Sequence, residues 1–299
     1  IDENEPQYQF GATTYSNFRR SVDGGSSWSS VNYSSSSGMF INPSDYDDVN
    51  NKFYASATGG NYLLWSNPQN GSSFNLVSFS TYSSGSVSCI KVSPFKSDRV
   101  FMGTNNGTLL KVDNASSASP SITNISPSSI ISGVNVSSVN TGTNDNNLIL
   151  SVSNFGQPHV LISQNGGTDW TNCTGTLPDI PVRWAMFHPE DNSKAIIATE
   201  LGIFETDNLN GASTVWVQNT SFPFVKTNML QYRPSDRTII AATHGRGLWT
   251  AKIPGSSPFV RFSGSYSYGQ PVSEGAATGT DGCRTYKDIT VNMVIDALP

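Results

Sequence analysis

An internal repeat between Arg183 and Ile253 is the feature of this sequence that most constrains its fold. Each copy reads as a strand, a turn with Pro and Asp, an apolar strand ending in Thr, a Gly-containing turn and another apolar strand. The first copy comprises residues 183–191, 195–199 and 200–206, and the second comprises 228–236, 238–243 and 244–250. Their turn prolines, Pro189 and Pro234, lie 45 residues apart. A repeat of this length and pattern predicts the blades of a β-propeller.

Looser copies of the same pattern come before this pair. The turn prolines Pro43 and Pro94 mark two of them, and residues 136–163 contain another. No segment has a helical period, and strands with turns every ~8–12 residues indicate an all-β chain. Four repeats with outer strands are therefore predicted at 39–88, 89–135, 136–182 and 183–227, followed by an inner part alone at 228–253.

The segment 7–31 has the complementary shape, since it holds outer strands but no Pro/Asp turn before them. Pairing it with 228–253 would close a ring and remove the open sheet edges, as propellers require. The sequence therefore predicts five blades if the chain is complete and seven if sequence is missing upstream. The start, Ile1 to Glu5, shows neither an initiator Met nor a signal peptide, which indicates a mature product or a fragment.

Residues 21–28, Ser-Val-Asp-Gly-Gly-Ser-Ser-Trp, match the Asp-box pattern Ser-x-Asp-x-Gly-x-x-Trp of sialidases and related propellers. In such a turn the Asp23 side chain accepts hydrogen bonds from backbone amides, a glycine takes a conformation that other residues avoid, and Trp28 packs back over the turn. Residues 163–170 repeat the pattern with Asn165 in place of the aspartate. The box stabilises the fold on the outer rim, so Asp23 is not predicted to be catalytic.

The blade pattern ends after Ile253, at a short linker from Pro254 to Pro258. Strand-like runs follow at 259–262, 266–268, 272–275 and 289–295. We expect these to open a β-sandwich, which roughly 40 residues cannot complete alone. The predicted domains are thus a propeller over 1–254, and a linker with the first strands of an adhesion-type sandwich over 255–299.

The composition limits the classes of partner. Only 13% of residues are Asp, Glu, Lys or Arg, and the net charge of −5 argues against nucleic acid, which would select a basic face. No apolar run approaches the ~18 residues of a membrane-spanning helix, so a soluble chain is expected.

The spacing of the three cysteines, Cys89, Cys173 and Cys283, does not match a metal-binding or redox motif. The sequence is compatible either with buried free thiols or with a Cys89–Cys173 disulfide.

The two Asp-boxes occur together with Leu-Pro-Asp-Ile-Pro-Val-Arg at 177–183, Ala-Thr-Glu-Leu-Gly-Ile at 198–203 and Ala-Ala-Thr-His-Gly-Arg-Gly-Leu at 241–248. This combination resembles the sortilin-like and xyloglucanase-like propeller modules of large secreted bacterial surface proteins, over 136–253 and more loosely over 7–135. The resemblance implies an exported, surface-attached protein. Xyloglucanases of this group cleave glucan chains with two aspartates at the propeller centre, and neither falls on a matching motif here.

In the tail, Val-Ser-Glu-Gly at 272–275 resembles the first strands of Calx-β or immunoglobulin-like adhesion modules. Glu274 then stands where Calx-β domains have a calcium ligand, although calcium normally takes six to eight oxygen ligands. Apart from this Ca²⁺ position, no cofactor is predicted.

A binding site is expected where the turn between the second and third strands of each blade meets the connections between blades. On that side the sequence places Arg183, Trp184, Glu200, His244 and Arg246. A carboxylate, an imidazole, arginines and an indole around a ring opening suit a carbohydrate or a peptide. The structural alternatives are a core position for Trp184, a turn role for His244 and a Glu200–Arg246 ion pair.

The sequence favours a non-catalytic, extracellular binding or scaffold module of a large adhesin, with a polysaccharide or an extracellular protein as its partner. An inverting glycosidase needs two carboxyl groups ~6.5–9.5 Å apart, and Glu200 has no evident partner in the equivalent turns. A fragment of a xyloglucanase-like endo-glucanase acting on β-glucan is therefore the alternative. A third interpretation is a purely structural spacer.

Overall fold

Runs of β-branched and aromatic residues between Gly- and Asn-rich turns form short antiparallel strands. The computed structural model describes residues 1–34, 37–71, 73–253, 261–266 and 289–290, and arranges their strands in six sheets. Sheet one contains β1 (Gln9–Ala12), β2 (Asn17–Ser21) and β3 (Ser29–Asn32). Sheet two contains β4 (Ser44–Asp47), β5 (Lys52–Ser56), β6 (Asn61–Ser66) and β7 (Ser73–Ser78). Sheet three contains β8 (Val87–Val92), β9 (Arg99–Thr104), β10 (Leu109–Asp113) and β11 (Ser121–Asn124).

The second half of the chain continues the pattern. Sheet four contains β12 (Val136–Thr141), β13 (Leu148–Val152), β14 (Val160–Ser163) and β15 (Thr171–Asn172). Sheet five contains β16 (Val182–His188), β17 (Asp191–Thr199), β18 (Gly202–Thr206) and β19 (Val217–Gln218). Sheet six contains β20 (Thr227–Arg233), β21 (Thr238–Thr243), β22 (Leu248–Lys252), β23 (Arg261–Tyr266) and β24 (Ile289–Thr290). Two 3₁₀ turns, Gly211–Ser213 and Pro234–Asp236, interrupt the strands of sheets five and six.

The six sheets are the blades of an all-β propeller, so the predicted count of five or seven blades was wrong. The five-blade count required segment 7–31 to pair with 228–253. Instead, β1 to β3 form a sheet of their own, and the strand that follows β22 in sheet six is β23, paired from Trp249↔Gly264 to Lys252↔Arg261. Two segments that each looked like part of a blade therefore belong to different blades.

The strand β23 lies in the stretch that the sequence assigned to the opening of a β-sandwich. It continues sheet six, and β24 pairs with it through Ser265↔Thr290 and Tyr266↔Ile289. Phe262 packs against Phe222 with ring centroids 5.0 Å apart, which ties this strand to the connection between sheets five and six. The other predicted sandwich strands, and Glu274 with them, lie outside the described residues.

Sheet one lacks the innermost strand of a blade. The first Asp-box lies between β2 and β3, whereas the second lies between the third and fourth strands of sheet four, β14 and β15. By this alignment β1 is a second strand. The buried Asp2 side chain accepts hydrogen bonds from Tyr46 Oη at 2.8 Å and Gln69 Nε2 at 2.7 Å, so the N-terminal turn is fixed against sheet two instead.

Five hydrophobic clusters each join consecutive sheets. Fully buried side chains at their centres include Trp65 between sheets one and two and Leu150 between sheets three and four. Among the described residues, none of these clusters joins sheet six to sheet one. Within the described part of the chain, hydrophobic clusters therefore cover both faces of sheets two to five and one face of each terminal sheet.

Both Asp-boxes form the predicted turn. Asp23 Oδ1 accepts the Ser27 N–H at 2.8 Å, and Asn165 Oδ1 accepts the Asp169 N–H at 2.8 Å. Bonds from the Ser27 hydroxyl and amide lower the Asp23 pKa to about 2, because they stabilise the carboxylate form. The glycines after each Asp or Asn adopt positive φ, which a side chain would disfavour. These residues stabilise the turn, and the Asp23 carboxylate is used in hydrogen bonds within it.

Cys89 and Cys173 are buried free thiols in different hydrophobic clusters, so the disulfide that the sequence left open is not formed. Burial raises the pKa of Cys89 to about 12, which keeps the thiol protonated. Cys283 lies outside the described residues. None of the helical segments described is long and apolar enough to cross a membrane.

Candidate functional site

The turns between second and third strands lie beside the connections between sheets, as the sequence pattern predicted. The Glu200 N–H donates to Pro181 O at 3.3 Å, the His244 N–H to Lys226 O at 2.8 Å, and the Gly133 N–H to Asn106 O at 3.1 Å. Each bond joins such a turn to a connection. We call this side of the propeller the connection face, and it is the side on which the predicted site residues lie.

Glu200 is the centre of a charged group on this face. Its Oε1 accepts Arg183 Nε at 2.7 Å and also Arg183 Nη2, and Lys226 Nζ lies 3.5 Å away. The three side chains are about two-thirds or more buried, so their attraction is less screened than on an open surface. The carboxylate thus links the start of β16, the β17–β18 turn and the connection into sheet six.

The other predicted residues differ in exposure. Trp184 is partly buried and packs against the cluster between sheets five and six, which is the core position given as its alternative. His244 and Arg246 are exposed on the β21–β22 turn. That turn is held by the Arg246 N–H, which donates to Thr243 Oγ1, and by Trp249 Nε1, which donates to Arg246 O at 3.0 Å.

A histidine–aspartate pair on the same face was missed by the sequence interpretation. His159 is almost fully buried, and its Nε2 lies 3.0 Å from Oδ1 of Asp179, which is exposed. Asp179 also accepts the Gly156 N–H at 2.7 Å, and the buried Nδ1 of His159 has no partner. The pair fastens the β13–β14 turn to the connection between sheets four and five. Its one sequence signal is the position of Asp179 in a proline-bordered connection.

Charged side chains are unevenly distributed over the connection face. Over sheets one to three the described turns and connections contain no Asp, Glu, Lys or Arg; these are residues 13–16, 33–34, 37–43, 57–60, 79–86, 105–108 and 125–135. Over sheets four to six, the described charges are those of Asp179, Arg183, Glu200, Lys226 and Arg246. The face is therefore divided into an uncharged half and a charged half.

The uncharged half exposes aromatic rings beside fixed amides. Phe40 is 62% exposed and Tyr82 is 42% exposed, on the first two connections between sheets. Tyr15 supports Phe40 edge-on, with centroids 5.6 Å apart, and its N–H donates to Phe40 O at 3.0 Å. Asn105 Oδ1 accepts the Ser86 N–H at 3.1 Å, which orients its amide on the surface. Exposed rings with oriented amides can stack on and hydrogen-bond to an uncharged polar ligand.

The carboxylates of this face are already engaged. Glycoside hydrolysis uses two carboxyl groups, one of which donates a proton. Among the described turns and connections the face carries Glu200, which is paired with Arg183 and Lys226, and Asp179, which is bonded to His159 and Gly156. In the described part of the chain, no group of three His, Cys, Asp or Glu side chains is arranged to hold a metal ion.

Comparisons with known proteins find the fold without a sequence family. No family model matches the chain, and no curated protein matches it. Among solved structures, it is similar to the GH74 xyloglucanase from Xanthomonas campestris, with a TM-score of 0.62 and 11% identity over 87% of this chain and 43% of that one. An ancestral GH74 enzyme gives a TM-score of 0.63 and 15% identity over 88% of this chain and 37% of that one.

A third similar structure is YCF48 bound to D1 peptide, with a TM-score of 0.59 and 14% identity over 87% of this chain and 82% of that one. The chain thus spans less than half the length of the two GH74 enzymes. At these identities the likeness shows a β-propeller fold and nothing finer.

Proposed function

We propose that this chain is a non-catalytic binding module whose connection face recognises an uncharged polysaccharide. The observation that carries the proposal is the uncharged half of that face, where Phe40 and Tyr82 are exposed among amides and hydroxyls. Sugar rings present apolar C–H faces to aromatic side chains and hydroxyl groups to amides. A face without charge forms such contacts without leaving an unpaired ion against a neutral ligand.

The proposal includes display outside the cell as part of a longer surface protein. It is supported by the resemblance to exported sortilin-like and xyloglucanase-like modules, and by a surface made polar with Ser, Thr and Asn instead of charge. Binding without cleavage is favoured because Glu200 and Asp179 are both held in contacts that fasten turns to connections.

Affinity electrophoresis of the full chain in gels with xyloglucan, mixed-linkage β-glucan or polygalacturonate tests the proposal. We expect retardation by a neutral glycan, and a loss of roughly tenfold in affinity for the variants Phe40→Ala and Tyr82→Ala. Aromatic stacking contributes ~0.5–1.5 kcal/mol beyond the area it buries, and about 1.4 kcal/mol corresponds to a tenfold change in affinity. Phe95→Ala is the matched control, because Phe95 is 51% exposed on the β8–β9 turn of the opposite face.

The same incubations are analysed for shortened oligosaccharides. Cleavage of any glycan would contradict the non-catalytic assignment. Absence of retardation by every neutral glycan would contradict the ligand class, and equal loss in Phe95→Ala would show that the connection face is not the binding surface.

A further inference from the structure

A groove on the outer rim, between sheets one and two, lies away from the connection face. Its volume is about 400 Å³, within the range of ligand sites in proteins. Val31 and Phe74 form an apolar part, and Arg20, Ser29, Asn32 and Asn70 supply polar groups. The groove thus combines a hydrophobic surface, a cation and several neutral hydrogen-bonding groups.

Arg20 is the only charged residue that lines the groove within the described part of the chain, and its guanidinium is poorly satisfied. Nη1 donates one long hydrogen bond, 3.3 Å to Pro68 O, and the buried Nε has no acceptor. None of the ion pairs found among the described residues includes Arg20. A half-buried guanidinium without a carboxylate is unfavourable unless another group neutralises it.

Carboxylates of the N-terminal segment bind elsewhere. Asp23, three residues after Arg20, accepts hydrogen bonds from the Ser27 N–H and the Ser27 hydroxyl. Asp2 Oδ2 accepts Tyr46 Oη and Gln69 Nε2, and Glu5 Oε2 accepts Gln69 Nε2 at 3.0 Å.

Four described arginines, Arg99, Arg183, Arg233 and Arg237, form ion pairs with carboxylates, as Arg99 does with Asp113 at 2.7 Å. Arg20 forms none and is half-buried, whereas Arg19, which also forms none, is exposed.

The Asn70 amide at the rim leaves polar groups for a ligand. The Asn70 side chain is exposed and makes one long hydrogen bond, 3.4 Å to Asn67 Oδ1. Ser29 lies opposite Arg20 in the register and donates its hydroxyl to Arg20 O at 3.2 Å. Asn32 borders the groove but pairs with Asn17, on the face of the sheet that carries Arg19. Asn32 and Asn70 stand in Asn-x-Ser sequons, so a test protein needs a host without N-glycosylation.

We propose that this groove binds a carboxylate-bearing sugar, a uronic acid unit of an acidic polysaccharide. The Arg20 guanidinium pairs with the carboxylate, Asn70 hydrogen-bonds to ring hydroxyls, and the Phe74 ring packs against the sugar's C–H face. This site is separate from the connection face in position and in ligand charge.

Isothermal titration of the full chain with tetragalacturonate tests the site, with its methyl ester as the uncharged ligand of the same shape. Tetragalacturonate should bind, the ester should bind at least about tenfold more weakly, and Arg20→Gln should cause a similar loss. Arg19→Gln is the matched control, because Arg19 is the next residue of β2 and pairs with Ser30 on the other face of the sheet.

Thermal melting separates loss of binding from loss of fold. If Arg20→Gln does not fold, Asn70→Ala changes an exposed residue of the same groove and should still weaken binding several-fold. The proposal is overturned if native protein does not bind tetragalacturonate or if the ester binds equally well. It is also overturned if Arg19→Gln loses as much affinity as Arg20→Gln. Displacement of the oligomer by acetate at the same carboxylate concentration would overturn it as well. Phe40→Ala should leave this binding unchanged whatever its effect on neutral glycans.

Discussion

At the scale of single residues, Arg99 makes a largely buried electrostatic link between blades three and four. Its Nε lies 2.7 Å from Asp113 Oδ1 on the neighbouring strand, and its Nη1 lies 3.0 Å from Asp145 Oδ2 in sheet four. All three side chains are largely buried. Removing the arginine leaves Asp145 without this counter-ion and leaves Asp113 with only the more exposed Lys96, 3.1 Å away. We therefore expect Arg99→Met to lower the free energy of unfolding by about 2 kcal/mol in urea titrations.

Arg233→Met is the control for this substitution. Arg233 pairs with Asp236 three residues away in the same turn, and both side chains are well exposed. Surface pairs of this kind contribute little, so its urea midpoint should hardly change. A loss in Arg99→Met no larger than in Arg233→Met would show that the link between sheets three and four is not stabilising.

The same cluster predicts a dependence of stability on pH. Hydrogen bonds from Arg99, opposed by burial, lower the pKa of Asp113 to about 2 from an ordinary value of 3.8. The folded carboxylate binds protons less readily than the unfolded one, so its contribution is complete above about pH 4 and is lost as the pH falls towards 2. Urea titrations from pH 5 to pH 2 should show a shallower decline for Asp113→Asn than for the native chain.

The candidate site could be predicted only in part from its residues. The positions of Arg183, Glu200 and His244 relative to the turns were enough to predict that they share one face. In an antiparallel sheet whose strands follow one another in sequence, every second turn lies at the same end of the sheet. These positions did not give the partner of Glu200, since side-chain reach decides between Arg183, Lys226 and Arg246. The His159–Asp179 pair was missed because no motif around His159 predicts contact with an aspartate 20 residues later.

At the scale of elements, the two Asp-box turns have the same internal bonds but different neighbours. Trp170 Nε1 donates to Gly167 O at 3.2 Å in its own turn and to Ile125 O at 2.8 Å in sheet three. Trp28 Nε1 donates to Gly25 O at 3.1 Å and its side chain is 46% exposed. The second box therefore joins two blades, whereas the first closes a turn.

This difference predicts unequal effects of the same substitution. Trp170→Phe removes a hydrogen bond between blades and should destabilise the chain by about 1 kcal/mol or more. Trp28→Phe, at an exposed turn, should change stability by less than about 0.5 kcal/mol. Urea titrations of the two variants give the comparison, and equal losses would show that Trp28 also contacts a neighbouring blade.

The strands were predictable as elements, but their sheet membership was not. Alternation and turn residues located both segment 7–31 and the strand near Phe262. Which edge a strand joins depends on contacts distant in sequence, such as Phe262 with Phe222. The sequence of an incomplete blade does not show which other segment completes it. The pattern therefore predicted five or seven blades, whereas the structure has six.

At the scale of the whole molecule, the outer faces of the two terminal sheets differ in polarity. Side chains alternate between the two faces of a strand, and the buried Phe18 points toward sheet two. Its neighbour Arg19, with Gln9 and Gly11 on the paired strand, therefore lies on the face turned away from sheet two.

In sheet six, the corresponding face carries Gln231 and Thr250 together with the apolar Met229, Ile240 and Leu248. Met229 is 40% exposed and Leu248 is 61% exposed. Among the described residues, no hydrophobic cluster joins this face to sheet one, so the sheets are held by a series of contacts between consecutive neighbours more than by closure.

Such a series predicts a gradient of local stability along the chain. Hydrophobic clusters of the described residues cover both faces of sheets two to five and one face each of sheets one and six, so the hydrogen bonds of these two groups of sheets should open with different free energies. In hydrogen exchange followed by mass spectrometry, peptides covering β2 and β22 should exchange well before peptides covering β13, by roughly tenfold for each 1.4 kcal/mol of difference. Leu248 is 61% exposed on β22, so Leu248→Ala should not change the order in which these peptides exchange. Leu150 is buried between sheets three and four, so Leu150→Ala should lower the protection of both sheets together. Equal protection of β2, β22 and β13 would mean that sheets one and six share a packed interface, and the series would have to be replaced by a closed ring.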